Sequence, residues 1–107
     1  MYCREWKCIC PRNTEKEFLD YLKITGIKDT QSIIGCLGYQ ILRREINNEI
    51  EITFMTFWIN FDVIKEYAGK DLYKAILYPE DYKFKIIPEV NVNIYEIIKF
   101  NLTVDNR

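Results

Sequence analysis

The chain of 107 residues contains no histidine, and that absence removes more chemistry than any other feature of it. Histidine is the usual general base near neutral pH and the commonest metal ligand. No nucleophile-and-histidine arrangement can therefore be assembled. Glycine is scarce as well. Gly26, Gly35, Gly38 and Gly69 are the only four, and none is followed by the Lys-Ser or Lys-Thr of a phosphate-binding loop. Fifteen basic against sixteen acidic residues leave a formal charge of −1, so the basic surplus that neutralises phosphates is missing and no nucleic-acid partner is expected. No apolar run approaches the roughly 20 residues that cross a bilayer, so no membrane partner is expected either. The opening Met1-Tyr2-Cys3-Arg4-Glu5-Trp6 is charged where a secretion signal carries its apolar stretch. A cytoplasmic location is the expectation.

Cysteine is present but in an unhelpful pattern. Cys3, Cys8 and Cys10 fall in one predicted strand, with Cys36 apart. Strand neighbours two apart project in parallel and are badly placed to bridge each other. Cys8-x-Cys10 is also not the usual two-to-four-residue ligand spacing. Reduced, buried or half-buried thiols are expected, with no metal and no cofactor.

Aromatic side chains are what the chain has in excess. Eight Tyr, six Phe and two Trp make sixteen rings, more than so short a chain easily buries. Some should line a pocket or a subunit interface, where an apolar body with a polar tip is useful. The apolar share of 49% and charged share of 29% are those of an ordinary globular chain. One domain over 1–107 is expected, with 99–107 a polar tail.

The hydrophobic pattern reads as six elements. Tyr2 to Cys10 is a strand, with Trp6, Cys8 and Cys10 alternating with Glu5, Lys7 and Ile9, and Pro11 ends it. Thr14 and Glu17 form a capping-box pattern before the helical stripe Phe18, Leu19 and Leu22. Gly26 is expected to end that stretch, and Ile27 to Ile34 is either another helical turn or a looser connection. Tyr39 to Glu45 and Glu49 to Trp58 are strands joined at Asn47-Asn48, a turn pair that tolerates left-handed backbone. Asn60 caps a second helix carrying Phe61, Ile64, Tyr67 and Ala68, closed by Gly69. Asp71 to Leu77 is expected to be a short helical piece, Tyr78-Pro79-Glu80-Asp81 a turn, and Val90 to Ile98 the last strand. The order βαββαβ is the split βαβ arrangement of an α+β, ferredoxin-like domain with an antiparallel sheet. Its helices cover one sheet face. Strands two to four carry apolar residues on both, so the second face calls for another protein surface, and an isologous homodimer supplies it most simply.

Candidate chemistry is aromatic and cationic. Trp58, Tyr67 and Tyr78, with Tyr73 and Trp6, are either core and interface packing or the wall of an apolar pocket. Glu45, Glu49 and Glu51 read as a solvated strand edge. Arg4, Arg43 and Arg44 are either ion-paired or hold a ligand oxyanion. Arg43 and Arg44 are adjacent on a strand, so one of them points inward or into the dimer seam, with Asp81 or Glu66 as possible carboxylate partners.

Tyr39 to Arg44, Phe54 to Trp58, and Glu66-Tyr67-Ala68-Gly69-Lys70-Asp71 leading to Tyr78-Pro79-Glu80-Asp81 together resemble the antibiotic biosynthesis monooxygenase-like family. Leu42-Arg43-Arg44 and the Tyr78 to Asp81 turn are the most specific pieces, and the resemblance spans roughly residues 2–98. It implies a dimeric α+β barrel of two ferredoxin-like subunits. It further implies a cofactor-independent monooxygenase acting on an apolar or aromatic small molecule, whose own carbanion meets O₂. Asn60, Trp58, Tyr67 and Arg43 are of the residue types such a site employs, which makes Arg43, Tyr67 and Asn60 the catalytic candidates and Trp58, Tyr73, Tyr78 and Trp6 the substrate wall. The haem-degrading branch employs a histidine ligand, for which this sequence offers only Leu77 and Tyr78 nearby. The competing reading is a non-catalytic dimeric module that binds a small molecule on the same fold.

Overall fold

The period-two pattern of the first strand decides the architecture. A computed structural model describes residues 1–103, and in it β1 (Tyr2–Cys10) lies centrally in the sheet. On one side it pairs with β3 (Glu49–Trp58) from Tyr2↔Trp58 to Cys10↔Ile50. On the other it pairs with β4 (Ile87–Pro88) and β5 (Asn93–Glu96). β2 (Cys36–Ile46) forms the outer edge against β3. Every pairing is antiparallel, and the order β2-β3-β1-β4 is that of the ferredoxin-like fold. The hairpin turns at Asn47 and Asn48, whose φ angles of 49° and 67° are the left-handed values foreseen for them.

Partners on an antiparallel ladder share a face, so the register sorts the side chains. Arg4, Trp6, Cys8 and Cys10 stand beside Ile50, Ile52, Phe54, Thr56 and Trp58, and all nine are buried. Phe18 and Leu22 of α1 (Glu15–Leu22) and Ile64 of α3 (Phe61–Ala68) are buried with them. The opposite face carries Cys3, Glu5, Thr53, Met55, Phe57, Leu42 and Tyr95. One end of it is apolar, with Met1, Leu37, Phe57 and Phe100 around a shallow hollow and Tyr95 half exposed. The other end is charged, where Arg44 pairs with Glu51. Among the described residues no helix is long and apolar enough to cross a membrane.

Five local expectations are corrected. The first helical run does not stop at Gly26. A π turn, Lys23–Ile27, carries it into α2 (Lys28–Gln31), and the Thr25 and Thr30 hydroxyls donate back to the Tyr21 and Gly26 carbonyls, each at 2.8 Å. Such back-bonding lets threonine stay inside a helix. Thr14 makes no capping bond; its hydroxyl is drawn to the Phe84 carbonyl at 2.7 Å. The segment 71–77 is not helical, because its peptide groups are taken by other partners. Tyr73 O accepts from Val92 N at 2.7 Å, Ala75 N donates to Val90 O at 2.8 Å, and Lys74 bridges Asn91. The last strand is consequently interrupted. β4 and β5 both lie on β1, and between them the chain leaves the ladder to bond this strap. β2 also begins earlier than Tyr39, at Cys36, across a register shift. Within the expected tail, Phe100 packs edge-on against Phe57 at 6.1 Å; residues 104–107 lie outside the described part.

Two measurements check this packing. Gly35 turns the chain into β2 at φ 102°, and a β-carbon there would sit 2.8 Å from Val63 Cγ2. Gly35→Ala should cost about 1–3 kcal/mol in denaturant unfolding, more than Gly69→Ala, where φ is 75° but no atom lies within 4 Å. The four cysteines are free thiols, three of them buried. Burial, with Glu5 adding to it, pushes Cys3 up to about 11, and burial raises Cys8 and Cys10 as well. A thiol-disulfide reagent at mild alkaline pH should react quickly only with Cys36, and with the other three only on unfolding.

Candidate functional site

Arg4 occupies the inner face of β1, one strand step before Trp6, and is only 5% exposed. A guanidinium out of water ordinarily takes a carboxylate, yet among the described residues none is within ion-pair distance of it. It bonds backbone instead. Nε donates to the Leu72 carbonyl at 3.2 Å and Nη2 to the Lys74 carbonyl at 2.6 Å, which tethers the 71–77 strap to the sheet. The guanidinium carbon also stands 5.6 Å from the centre of the Tyr67 ring, a cation–π distance. Burial lowers its pKa from arginine's ordinary value, and Tyr67 opposes that shift. Arginine starts so high that it stays cationic.

Tyr67 is delivered by α3, which begins at Asn60. The Asn60 Oδ1 accepts from Val63 N at 3.0 Å, the N-cap anticipated for it, and Gly69 ends the helix at positive φ. Behind Tyr67, the fully buried Trp58 stacks on its ring at 6.2 Å and 26°. Trp58 Nε1 donates to Thr56 Oγ1 at 2.7 Å, and Thr56 bonds the Arg4 carbonyl. Tyr67 is thus backed by groups on β1 and β3. In front of it, the Tyr67 and Tyr78 hydroxyls are 3.4 Å apart, and Tyr78 donates to Asp29 Oδ2 at 2.6 Å. Asp81 accepts from the Tyr78 amide at 2.7 Å, closing the turn that aims the Tyr78 ring.

These groups enclose a cavity between the sheet and the helices. Arg4, Trp6, Phe54, Tyr67, Tyr78 and Asp81 line it, over a floor from the first helical run that includes Gly26. Its enclosed part measures about 20 Å³, room for about one water. Counted with its open mouth, the void is about 360 Å³. Burial raises the Tyr67 pKa, with Tyr78 and Arg4 opposing. Burial also raises Tyr78, helped by its bonds to Asp29 and Tyr67. Both phenols therefore keep their protons at neutral pH. Asp81 is raised by burial too, against the Tyr78 amide bond that favours its charged form.

Of the sequence candidates, Tyr67, Tyr78 and Trp6 meet at this cavity, and Trp58 backs it without lining it. Trp6 Nε1 is held by the Glu89 carbonyl at 3.1 Å, where the last strand breaks. Tyr73 is half exposed on the strap and Asn60 is spent on its cap. Arg43 is not at the cavity. It lies on the rim of β2, ion-paired with Glu15 and Glu45, while Arg44 on the opposite face pairs with Glu51; neither uses Asp81 or Glu66. Glu45 also pairs with Arg12. The inward arginine is Arg4. Extending the Trp6, Cys8, Cys10 alternation one step back would have found it. Asp29 carried no such signal, because its position beside Tyr78 depends on the helix continuing past Gly26.

No family model matches the chain, and no curated protein matches it in sequence. Solved structures do match its fold. A protein of Bacillus cereus, provisionally described as an antibiotic biosynthesis monooxygenase, superposes with a TM-score of 0.65 at 12% identity, covering 95% of this chain and 97% of its own. One of Deinococcus radiodurans with the same provisional description gives 0.62 at 12% identity, covering 98% and 100%. A dimeric ferredoxin-like protein from an uncultured marine organism gives 0.56 at 12% identity, covering 96% and 100%. At that identity the likeness establishes a shared ferredoxin-like α+β fold.

Proposed function

We propose that this chain is a small enzyme of the antibiotic biosynthesis monooxygenase type, acting without metal or flavin on an aromatic molecule that carries an acidic hydroxyl. The observation that carries the reading is Arg4: a buried cation, without a carboxylate among the described residues, facing a cavity walled by aromatic rings. A protein that removes a charge from water and leaves it unneutralised offers it to an incoming anion. Here the anion is a phenolate or enolate. Arg4 stabilises the negative charge that forms on oxygen, and the electron-rich ring then supplies electrons to O₂. Arg4 thereby takes the role that the sequence pattern suggested for Arg43. The enclosed part holds about one water, so even a single-ring substrate requires the cavity walls to move apart, and a polycyclic one requires more.

The small enclosed volume keeps the second reading in play, a dimeric module that binds such a molecule without transforming it. Calorimetry and oxygen uptake with hydroquinone-type phenols in metal-free buffer separate the two. Uptake with wild type supports the enzyme; binding without uptake supports the module; neither one removes the cavity from consideration. Arg4→Met should weaken binding of acidic phenols about 10–100-fold, the worth of a hydrogen bond to a charged group, while a methyl-ether analogue loses much less.

The apolar end of the open sheet face, with Phe57, Phe100, Leu37 and half-exposed Tyr95, supports a homodimer formed sheet to sheet. Sedimentation at micromolar concentration should give a dimer, and Tyr95→Glu should give a monomer that remains folded. A monomeric wild type under those conditions would contradict the proposal.

A further inference from the structure

The hydrogen bonds that run outward from the cavity have a fixed direction. Asp29, exposed on the first helical run, is a carboxylate and can only accept. Tyr78 has one hydroxyl proton and spends it on Asp29 at 2.6 Å. The 3.4 Å contact between the two phenols must then run from Tyr67 to Tyr78, with Tyr67 donating. That leaves the oxygen of Tyr67, a residue of the cavity lining, with no donor to it among the described residues, and Arg4, Trp58 and Tyr78 surround the Tyr67 side chain. The cavity accordingly presents Tyr67 Oη as an acceptor beside the Arg4 cation, with the Asp81 carboxylate elsewhere on its wall.

We propose that Tyr67, Tyr78 and Asp29 form a proton exit for the hydroxyl of a bound phenol or enol, whose resulting oxyanion is held by Arg4. This rests on the cavity being the ligand site. The ligand's O–H bond breaks and its proton passes to Tyr67 Oη. The Tyr67 proton passes to Tyr78 Oη, the Tyr78 proton passes to the Asp29 carboxylate, and Asp29 releases it to solvent. The electron pair of the broken bond stays on the ligand oxygen. No tyrosinate need accumulate, which agrees with the raised pKa of both phenols. Tyr67 is the catalytic residue here, because it would touch the ligand. Tyr78 and Asp29 act through it. The other ionisable group at the cavity, Asp81, accepts the Tyr78 amide through Oδ2 and bonds neither hydroxyl, so it stands outside the chain of hydroxyls.

The route depends on the helical run continuing past Gly26. Only in that continuation does Asp29 reach the Tyr78 hydroxyl, and the sequence separation of the three groups hides their proximity. It also supplies what a histidine would otherwise supply, a way for a buried proton to leave near neutral pH.

The test uses 4-nitrophenol, whose phenol and phenolate forms differ in absorbance, bound to the full chain. After a rapid upward pH jump, the bound probe should ionise quickly in wild type. Asp29→Asn and Tyr78→Phe should each slow that step at least about tenfold, within the range for losing a positioned proton-transfer group, with the affinity for the probe little changed. Added acetate should restore the rate in Asp29→Asn and not in Tyr78→Phe, a readout that a merely structural role would not move. Unchanged rates in both variants, with the probe still bound, would overturn the proton exit and leave the cavity reading intact. Failure of wild type to bind the probe at all would overturn the cavity reading, and the exit with it.

Discussion

The Arg4 guanidinium, out of water and bonded to the carbonyls of Leu72 and Lys74, is the interaction on which the rest of this structure depends. A buried charge without a counter-ion costs several kcal/mol even after relaxation. Two carbonyls and the face of Tyr67 offset part of that. The consequences spread from there. The 71–77 strap is drawn down to the sheet and cannot form a helix, and its remaining peptide groups recruit Val90 and Val92. The final strand is thereby split into β4 and β5, and Trp6 finds its acceptor at the break, on Glu89. One cation on the central strand thus shapes the cavity wall, the strap and the sheet edge together.

The sheet presents two unlike faces, and the difference follows from period-two alternation on β1 and β3. The inner face is filled by indole, thiol, aliphatic and aromatic groups and closed by Phe18, Leu22 and Ile64. Its buried ionised member among the described residues is Arg4; Arg43 and Glu45, on the same face of β2, stay exposed at the rim. The outer face divides along the strands, apolar near Met1 and Phe57 and charged near Arg44 and Glu51. A division of that kind gives one end of the sheet a reason to be covered and the other a reason to remain in water.

Without histidine, the polar groups gathered at the cavity are phenols, carboxylates and a guanidinium. Each is ordinary alone. Four separate elements bring them together: β1 carries Arg4, α3 carries Tyr67, the turn after the strap carries Tyr78 and Asp81, and the first helical run carries Asp29. Trp58, stacked behind Tyr67 and tied through Thr56 to the Arg4 backbone, holds the phenol against the cation. The geometry is set by packing, and the polar groups inherit it.

By itself the sequence determined what depends on near neighbours. The alternation in β1 and β3, the Asn47-Asn48 turn, the Asn60 cap and the Gly69 stop each follow from local stereochemistry, and together they specify the order of elements and the antiparallel sheet. It also placed Tyr67 and Trp58 on inward positions, because period and helical spacing are local properties. Only the tertiary structure decided which arginine is buried, since Arg43 finds Glu15 on a helix that sequence spacing cannot locate. Only it decided that 71–77 is a strap, because the competing hydrogen bonds come from residues nearly 20 positions away and from Arg4 at the other end of the chain. And only it joined Tyr78 to Asp29, 49 residues apart, since a long-range hydrogen bond leaves no periodic trace in the sequence that forms it.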